Sequence, residues 1–88
     1  MIGKSTLKVP GGKLLKAEVN YEGELIRSAK VCGDFFMHPE DAIEKLDKKL
    51  RNIDVKDLEK AVSEALEGAQ IYGAGKDSIT KVILEAMK

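Results

Sequence analysis

The 88-residue sequence has no tryptophan, one cysteine, two prolines, two tyrosines and two phenylalanines. The single cysteine, Cys32, excludes an intramolecular disulfide and fits a reducing compartment. No stretch approaches the roughly 18 apolar residues of a membrane-spanning helix, and the opening residues contain no apolar run long enough for a signal peptide. We therefore expect a cytoplasmic protein that does not enter a membrane.

A surplus of charge is also missing, because 15 basic residues balance 15 acidic ones. Proteins that bind nucleic acid or an anionic membrane need a basic surface, so the balance argues against both partners. A local basic patch remains compatible with a net charge of zero. The length predicts one domain over residues 1–88, with a modest core and no deep cleft for a cofactor of its own.

The first half of the chain has the two-residue period of strands. Residues 4–9 predict a short strand that ends at the turn signal Pro10-Gly11-Gly12, and residues 13–21 and 25–32 predict two more. A three-residue turn between the last two would place Leu15 opposite Val31 and Ala17 opposite Ala29. That register leaves Arg27 on the apolar face.

The second half has helical periodicity, and Pro39 suits the first position of a helix. Apolar residues recur at helical spacing in Ile43, Leu46, Leu50 and Ile53, in Leu58, Val62, Ala65 and Leu66, and in Ile79, Val82, Ile83, Ala86 and Met87. Asp54 is expected to cap the second helix, and Asp77 or Ser78 the third. Strands followed by helices predict an α+β fold, a three-stranded antiparallel sheet packed against about three C-terminal helices. The predicted buried residues are Leu15, Val31, Ile43, Leu46, Leu50, Leu58, Val62 and Ile83.

Motifs for catalysis are incomplete. Gly75-Lys76 suggests a phosphate loop, but that loop needs Gly at position 70 and Ser or Thr at 77, where the chain has Gln70 and Asp77. Cys32 and His38 could form a nucleophile and base, yet no third group to orient them is evident. A metal site of His38, Asp34 and Asp41 matches no familiar ligand spacing. We favour structural roles, with His38 at a helix start and Cys32 as a small buried side chain.

The most distinctive segment runs from Gly33 to Glu40, where the strand pattern gives way to the helix pattern. It holds both phenylalanines, the only histidine and one of the two prolines. Asp34 can accept bonds from nearby backbone N–H groups and brace the exit of the strand. Adjacent Phe35 and Phe36 point to different sides of an extended backbone, so one of them is a candidate contact for a partner.

Three segments carry a family resemblance. They are Val9 to Leu15 with the sequence VPGGKLL, Asn20 to Gly23 with NYEG, and Gly33 to Ile43 with GDFFMHPEDAI. In these segments the chain resembles the accessory domain of lipoate–protein ligases. This domain is usually the C-terminal part of bacterial ligases and a separate small subunit in some archaea. The resemblance covers nearly the whole chain, which suggests the free-standing subunit.

The resemblance implies a partner and a reaction. A catalytic subunit would hold lipoate, ATP and magnesium, form lipoyl-AMP, and pass the lipoyl group to a lysine of a carrier domain. This chain would be the non-catalytic half of a heterodimer, required for the activation step, with no cofactor bound by itself. The carrier domain is a second candidate partner. The implied fold is similar to that of iron–sulfur scaffold and sulfur-acceptor proteins.

The candidate partner-binding or motif residues are Gly11, Gly12, Lys13, Gly33, Asp34, Phe35, Phe36, His38 and Pro39. Two other functions stay open at this point. One is an independent sulfur- or iron–sulfur-handling scaffold, against which the lone Cys32 argues because such proteins need several cysteines or a reactive one in a set loop. The other is a stand-alone enzyme, against which the missing set of catalytic groups argues.

Overall fold

A computed structural model describes residues 1–9, 13–33, 36–38, 41–72 and 75–88, with only the backbone described for Phe36 and Met37. Within these residues the chain forms six strands, three α-helices and one 3-10 turn. In chain order they are β1 (Ile2–Val9), β2 (Lys13–Glu22), β3 (Leu25–Gly33), β4 (Phe36–His38), α1 (Ala42–Lys49), β5 (Ile53–Asp54), the 3-10 turn (Val55–Asp57), α2 (Leu58–Ala65), β6 (Gln70–Tyr72) and α3 (Lys76–Ala86).

The main sheet is antiparallel and has the strand order β1-β2-β3-β5 in the described part of the chain. The α+β class and the antiparallel sheet are therefore confirmed. The predicted number of three strands is corrected by β5, which adds two residues beside the start of β3. A second, two-stranded sheet of β4 and β6 was not predicted either. Strands of two and three residues are too short to show an alternating pattern in the sequence.

The register of the β2–β3 hairpin differs from the prediction by two residues. Leu15 lies opposite Gly33 and Ala17 opposite Val31, not opposite Val31 and Ala29. A shift of two residues keeps the side chains of β2, and those of β3 from Ser28 onward, on their predicted faces, because side chains alternate along a strand. The apolar faces of β2 and β3 therefore still meet.

A shorter turn and a bulge next to it together explain the shift of two residues, and the bulge explains the misfit of Arg27. The turn has two residues, Gly23 and Glu24, and the pairing then skips Arg27. Skipping one residue reverses the phase of β3, so that Ile26 and Ala29 are both buried while Arg27 is exposed. The carbonyl oxygen of Arg27 accepts a hydrogen bond from the backbone N–H of Asn52 at 3.2 Å.

The core lies between the main sheet and the helices. α3 packs on β1 and β2, and α1 packs on α2. The Ser5 hydroxyl of β1 donates a hydrogen bond to the carbonyl oxygen of Val82 in α3 at 2.5 Å. The buried apolar residues are Leu15, Ala17, Val19, Tyr21, Ile26, Ala29, Val31, Ala42, Leu46, Leu50, Leu58, Ala61, Val62, Ala65, Leu66, Ile79, Val82, Ile83 and Ala86.

The first helix is shorter than its apolar pattern predicted. It ends at Lys49, and Asn52 has a φ of +54°, a left-handed conformation that breaks the helix. Ile53 consequently pairs with Ile26 in the sheet instead of extending the helix. Ile43 was expected in the core but is 38% exposed, because the helix buries a narrow stripe that runs through Ala42 and Leu46.

The helix starts partly follow the predictions. Asp54 does act as a cap, since its carboxylate accepts a bond from the backbone N–H of Lys56 at 3.1 Å in the 3-10 turn that leads into α2. The third helix begins at Lys76, with Gly75 before it, so neither Asp77 nor Ser78 caps it. The first helix begins at Ala42, and Pro39, the predicted first residue of that helix, lies outside the described residues.

No helix in the described ranges is both long enough and apolar enough to cross a membrane.

Replacing Leu46 with alanine should lower the free energy of unfolding by about 2–5 kcal/mol, because the side chain is only 2% exposed and its loss leaves a cavity. Ile43→Ala on the same helix is the matched control and should cost about 1 kcal/mol or less, since Ile43 already contacts water. Urea unfolding of both variants measures the difference. Equal costs would contradict the orientation of α1.

Candidate functional site: the junction ribbon

The short strands β4 and β6 form a ribbon directly after the end of β3. Phe36 lies opposite Tyr72, Met37 opposite Ile71, and His38 opposite Gln70. We call β4 and β6 together the junction ribbon. The ribbon lies near the end of β3 because β4 begins only three residues after β3 ends at Gly33.

One side of the ribbon is anchored and the other is open. Ile71 is half-buried and packs against the core, while its neighbours Gln70 and Tyr72 are exposed, as expected for a strand with one covered face. His38, opposite Gln70, is exposed as well. The ribbon thus exposes polar and aromatic side chains to solvent, while Ile71 packs it against the core.

Tyr72 is the most prominent side chain of the open side. It is 58% exposed, and its hydroxyl forms a hydrogen bond with Oε1 of Gln70 at 2.6 Å. A large exposed aromatic ring with a polar tip is typical of residues that anchor protein interfaces. Neither Tyr72 nor Gln70 was identified from the sequence, because a three-residue strand gives no periodic signal and its partner β4 is distant along the chain.

Gly33 fixes the place where the chain leaves the main sheet. Its φ is +149°, which is strained for residues with a side chain, and an added Cβ would collide with the backbone carbonyl oxygen of Leu14. The backbones of β2 and β3 therefore approach closely at this point. No other residue type fits there without a shift of β2.

Two of the three segments that carry the family resemblance meet at this end of the sheet. Lys13 is the exposed first residue of β2, and Leu15, two residues later, lies opposite Gly33. The segments from Val9 to Leu15 and from Gly33 onward are therefore neighbours in space. Of the predicted site residues, Gly11, Gly12, Asp34, Phe35 and Pro39 lie outside the described residues, and only the backbone of Phe36 is described.

The structural roles expected for Cys32 and His38 are wrong. Cys32 is exposed, because it follows the inward-facing Val31 and so lies on the outer face of the sheet, opposite Lys16. His38 lies in β4, and the residue at the start of α1 is Asp41. Among the described residues, no three His, Cys, Asp or Glu side chains converge as a metal site.

A second polar feature is a hollow of about 440 Å³ between the outer face of the sheet and α1. It is lined by Ile2, Glu18, Asn20, Ser28, Ala29, Lys30, Asp47 and Arg51. Partial burial raises the pKa of the Asp47 carboxyl above its ordinary value, an effect that the nearby positive charges of Lys30 and Arg51 oppose. The hollow thus contains charges of both signs.

Residues 4–86 match the family model described as the bacterial lipoate protein ligase C-terminus. The chain belongs to this family. A match over almost the entire chain confirms the resemblance found in the segments around Gly12 and Gly33, and the two segments that the fold brings together are part of the lipoate–protein ligase C-terminal domain.

A solved structure supports the same fold. The chain is similar to a chain from a structural analysis of an archaeal lipoylation system, a bi-partite lipoate protein ligase and its E2 lipoyl domain from Thermoplasma acidophilum. The TM-score is 0.84 at 23% sequence identity, and the alignment covers 94% of each chain. No sequence match was found among curated proteins.

Gly33→Ala should lower the free energy of unfolding by more than about 2 kcal/mol, because it combines an unfavourable φ with a collision against Leu14. Gly23→Ala is the matched control. Gly23 has a φ of +58° but open space around it, so only the backbone cost of about 1 kcal/mol is expected. Thermal unfolding of both variants tests this. Equal losses of stability would show that the backbone of β2 can move away at Leu14 at little cost in free energy.

Proposed function

We propose that this chain is the non-catalytic accessory subunit of a lipoate–protein ligase. The observation that carries the proposal is the match of residues 4–86 to the ligase C-terminal family. The Thermoplasma protein of similar fold is described as bi-partite, which supports a ligase divided between two chains. In this proposal the present chain forms a heterodimer with the catalytic subunit.

The proposal assigns lipoate, ATP and magnesium to the catalytic subunit. The described residues of this chain provide no converging carboxylates that would hold a metal ion. The carboxylate of lipoate would attack the α-phosphate of ATP on the catalytic subunit and release pyrophosphate, and a carrier-domain lysine would then accept the lipoyl group with release of AMP. The accessory subunit would act by binding the competent conformation of the catalytic subunit more tightly than other conformations, which shifts the population toward it.

The junction ribbon is the surface that we assign to the catalytic subunit. It combines the exposed ring of Tyr72 with the polar groups of Gln70 and His38, and Ile71 holds it against the core. A segment whose backbone is already paired loses less conformational entropy on binding than a free loop, so more of the contact energy appears as affinity. Phe36, whose backbone lies opposite Tyr72, stays a predicted contact.

An independent iron–sulfur scaffold is the alternative function. Exposed Cys32 is the one observation in its favour. Iron–sulfur clusters are held by four ligands, mostly cysteines, and this sequence has one cysteine. We therefore prefer the ligase subunit.

Reconstitution tests the proposed activity. The catalytic subunit should form lipoyl-AMP from lipoate and ATP only when this chain is added, whereas this chain alone should neither form lipoyl-AMP nor bind ATP tightly. Pyrophosphate release measures the reaction, and calorimetry measures ATP binding. Equal rates of lipoyl-AMP formation with and without the chain would refute the accessory role.

Tyr72→Ala tests the assigned surface. The substitution should weaken binding to the catalytic subunit by about 1–4 kcal/mol, as expected for an aromatic anchor, while the melting temperature of the isolated chain stays unchanged. Leu84→Ala is a matched control, since Leu84 is a large apolar residue of α3 that is 41% exposed. If Tyr72→Ala leaves the affinity at the level of the control, the ribbon is not the binding surface.

A further inference from the structure

The helices pack against one face of the main sheet, and the opposite face meets the α1 region at the hollow lined by Asp47 and Arg51. Side chains of β1, β2 and β3 alternate, and those that point toward the helices are buried or half-buried. Outside the hollow, the opposite face is open to solvent. We call it the lysine face, because it carries the exposed residues Lys4 and Lys8 of β1, Lys16 of β2 and Lys30 of β3.

The lysine face has a surplus of positive charge in a chain of zero net charge. Glu18 is the acidic residue at its centre and lies opposite both Lys4 and Lys30. Glu22, at the end of β2, already pairs with Arg27 at 3.5 Å. In the described part of the chain, none of the four lysines forms an ion pair, but Lys30 shares the hollow with the carboxylate of Asp47 and the guanidinium of Arg51. Because the whole chain is neutral, the rest of the surface carries the compensating negative charge.

The shape and composition of this face favour a protein partner over nucleic acid. Exposed Ile2 and Leu14 lie among the lysines, and the hollow of about 440 Å³ indents one side of the face. No aromatic ring of the described residues lies on it for bases to stack on, and the carboxylate of Glu18 at its centre would repel a phosphate backbone. Mixed charge with scattered apolar groups is usual for protein interfaces.

We propose that the lysine face docks the lipoyl carrier domain by pairing with carboxylates on the surface of that domain. The proposal rests on the proposed function, which makes that domain the acceptor of the lipoyl group. The lysine face lies on the side of the sheet away from the core, whereas Ile71 of the junction ribbon packs on the core side, so the surfaces proposed for the two partners are separate. A charged, mostly polar surface suits a substrate that must leave after each turnover, because exposed charge pairs speed association more than they raise affinity.

Charge reversal at Lys8 and Lys16 tests the proposal. Both lie opposite uncharged residues, Lys8 opposite Leu14 and Lys16 opposite Thr6 and Cys32, so Lys8→Glu with Lys16→Glu creates no directly opposed like charges. The control is Lys48→Glu with Lys56→Glu, an equal change of charge at exposed residues on the helical half. The assay uses the heterodimer and the unmodified lipoyl domain of the same organism's E2 protein.

The test variant should raise the KM for the lipoyl domain about tenfold at low ionic strength, where charges act over roughly 30 Å, and leave lipoyl-AMP formation unchanged. The KM of the wild-type heterodimer should rise with salt. The proposal is overturned if the test and control variants have the same KM. It is also overturned if the test variant lowers the rate of lipoyl-AMP formation, because the catalytic subunit would then bind this face. Tight binding of a short DNA duplex by the wild-type chain, but not by the test variant, would overturn it as well.

A failure of the proposed accessory function can be distinguished from a failure of the proposed docking surface. If wild-type chain fails to stimulate lipoyl-AMP formation, the accessory role fails. A titration of the lipoyl domain with this chain, followed by NMR, then still reports whether the lysine face binds it. Shifts that vanish for the Lys8/Lys16 variant and persist for the control support the docking surface, and an absence of shifts with wild-type chain refutes it.

Discussion

Burial of one face of β2 against the helices is the constraint on which the rest of this structure depends. Leu15, Ala17, Val19 and Tyr21 all point to the core from this strand, which has a neighbour on each side. A shift of one residue in β2 would exchange these side chains for charged and polar ones. The hairpin therefore tolerates a displacement of two residues and a bulge, but not a displacement of one.

The one-sided packing also divides the surface into parts of different character. On the helix side the chain closes its core, and the junction ribbon is attached there through Ile71. On the other side the sheet stays open and displays Lys4, Lys8, Lys16 and Lys30. The described residues thus form two distinct exposed surfaces, one aromatic and polar, the other basic.

Backbone geometry at the end of β3 connects the fold to the candidate site. Gly33 lies so close to Leu14 that a side chain would collide with the neighbouring strand. Directly after it, the chain leaves the main sheet and pairs with β6. The same glycine therefore ends the hairpin and sets the start of the ribbon, which explains why the most distinctive segment of the sequence lies at this junction.

The sequence by itself determined the α+β class, the faces of β2 and of β3 beyond its bulge, and most of the core, because these depend on periodic patterns of apolar residues. It also identified the junction at Gly33 and the ligase family. Only the tertiary structure decided the register of the hairpin, the exposure of Ile43, and the position of Ile53 in a strand. It alone brought Tyr72 beside β4 and gathered four lysines from three strands on one face. These features arise from a bulge, a left-handed residue and contacts between distant segments, none of which leaves a periodic signal in the chain.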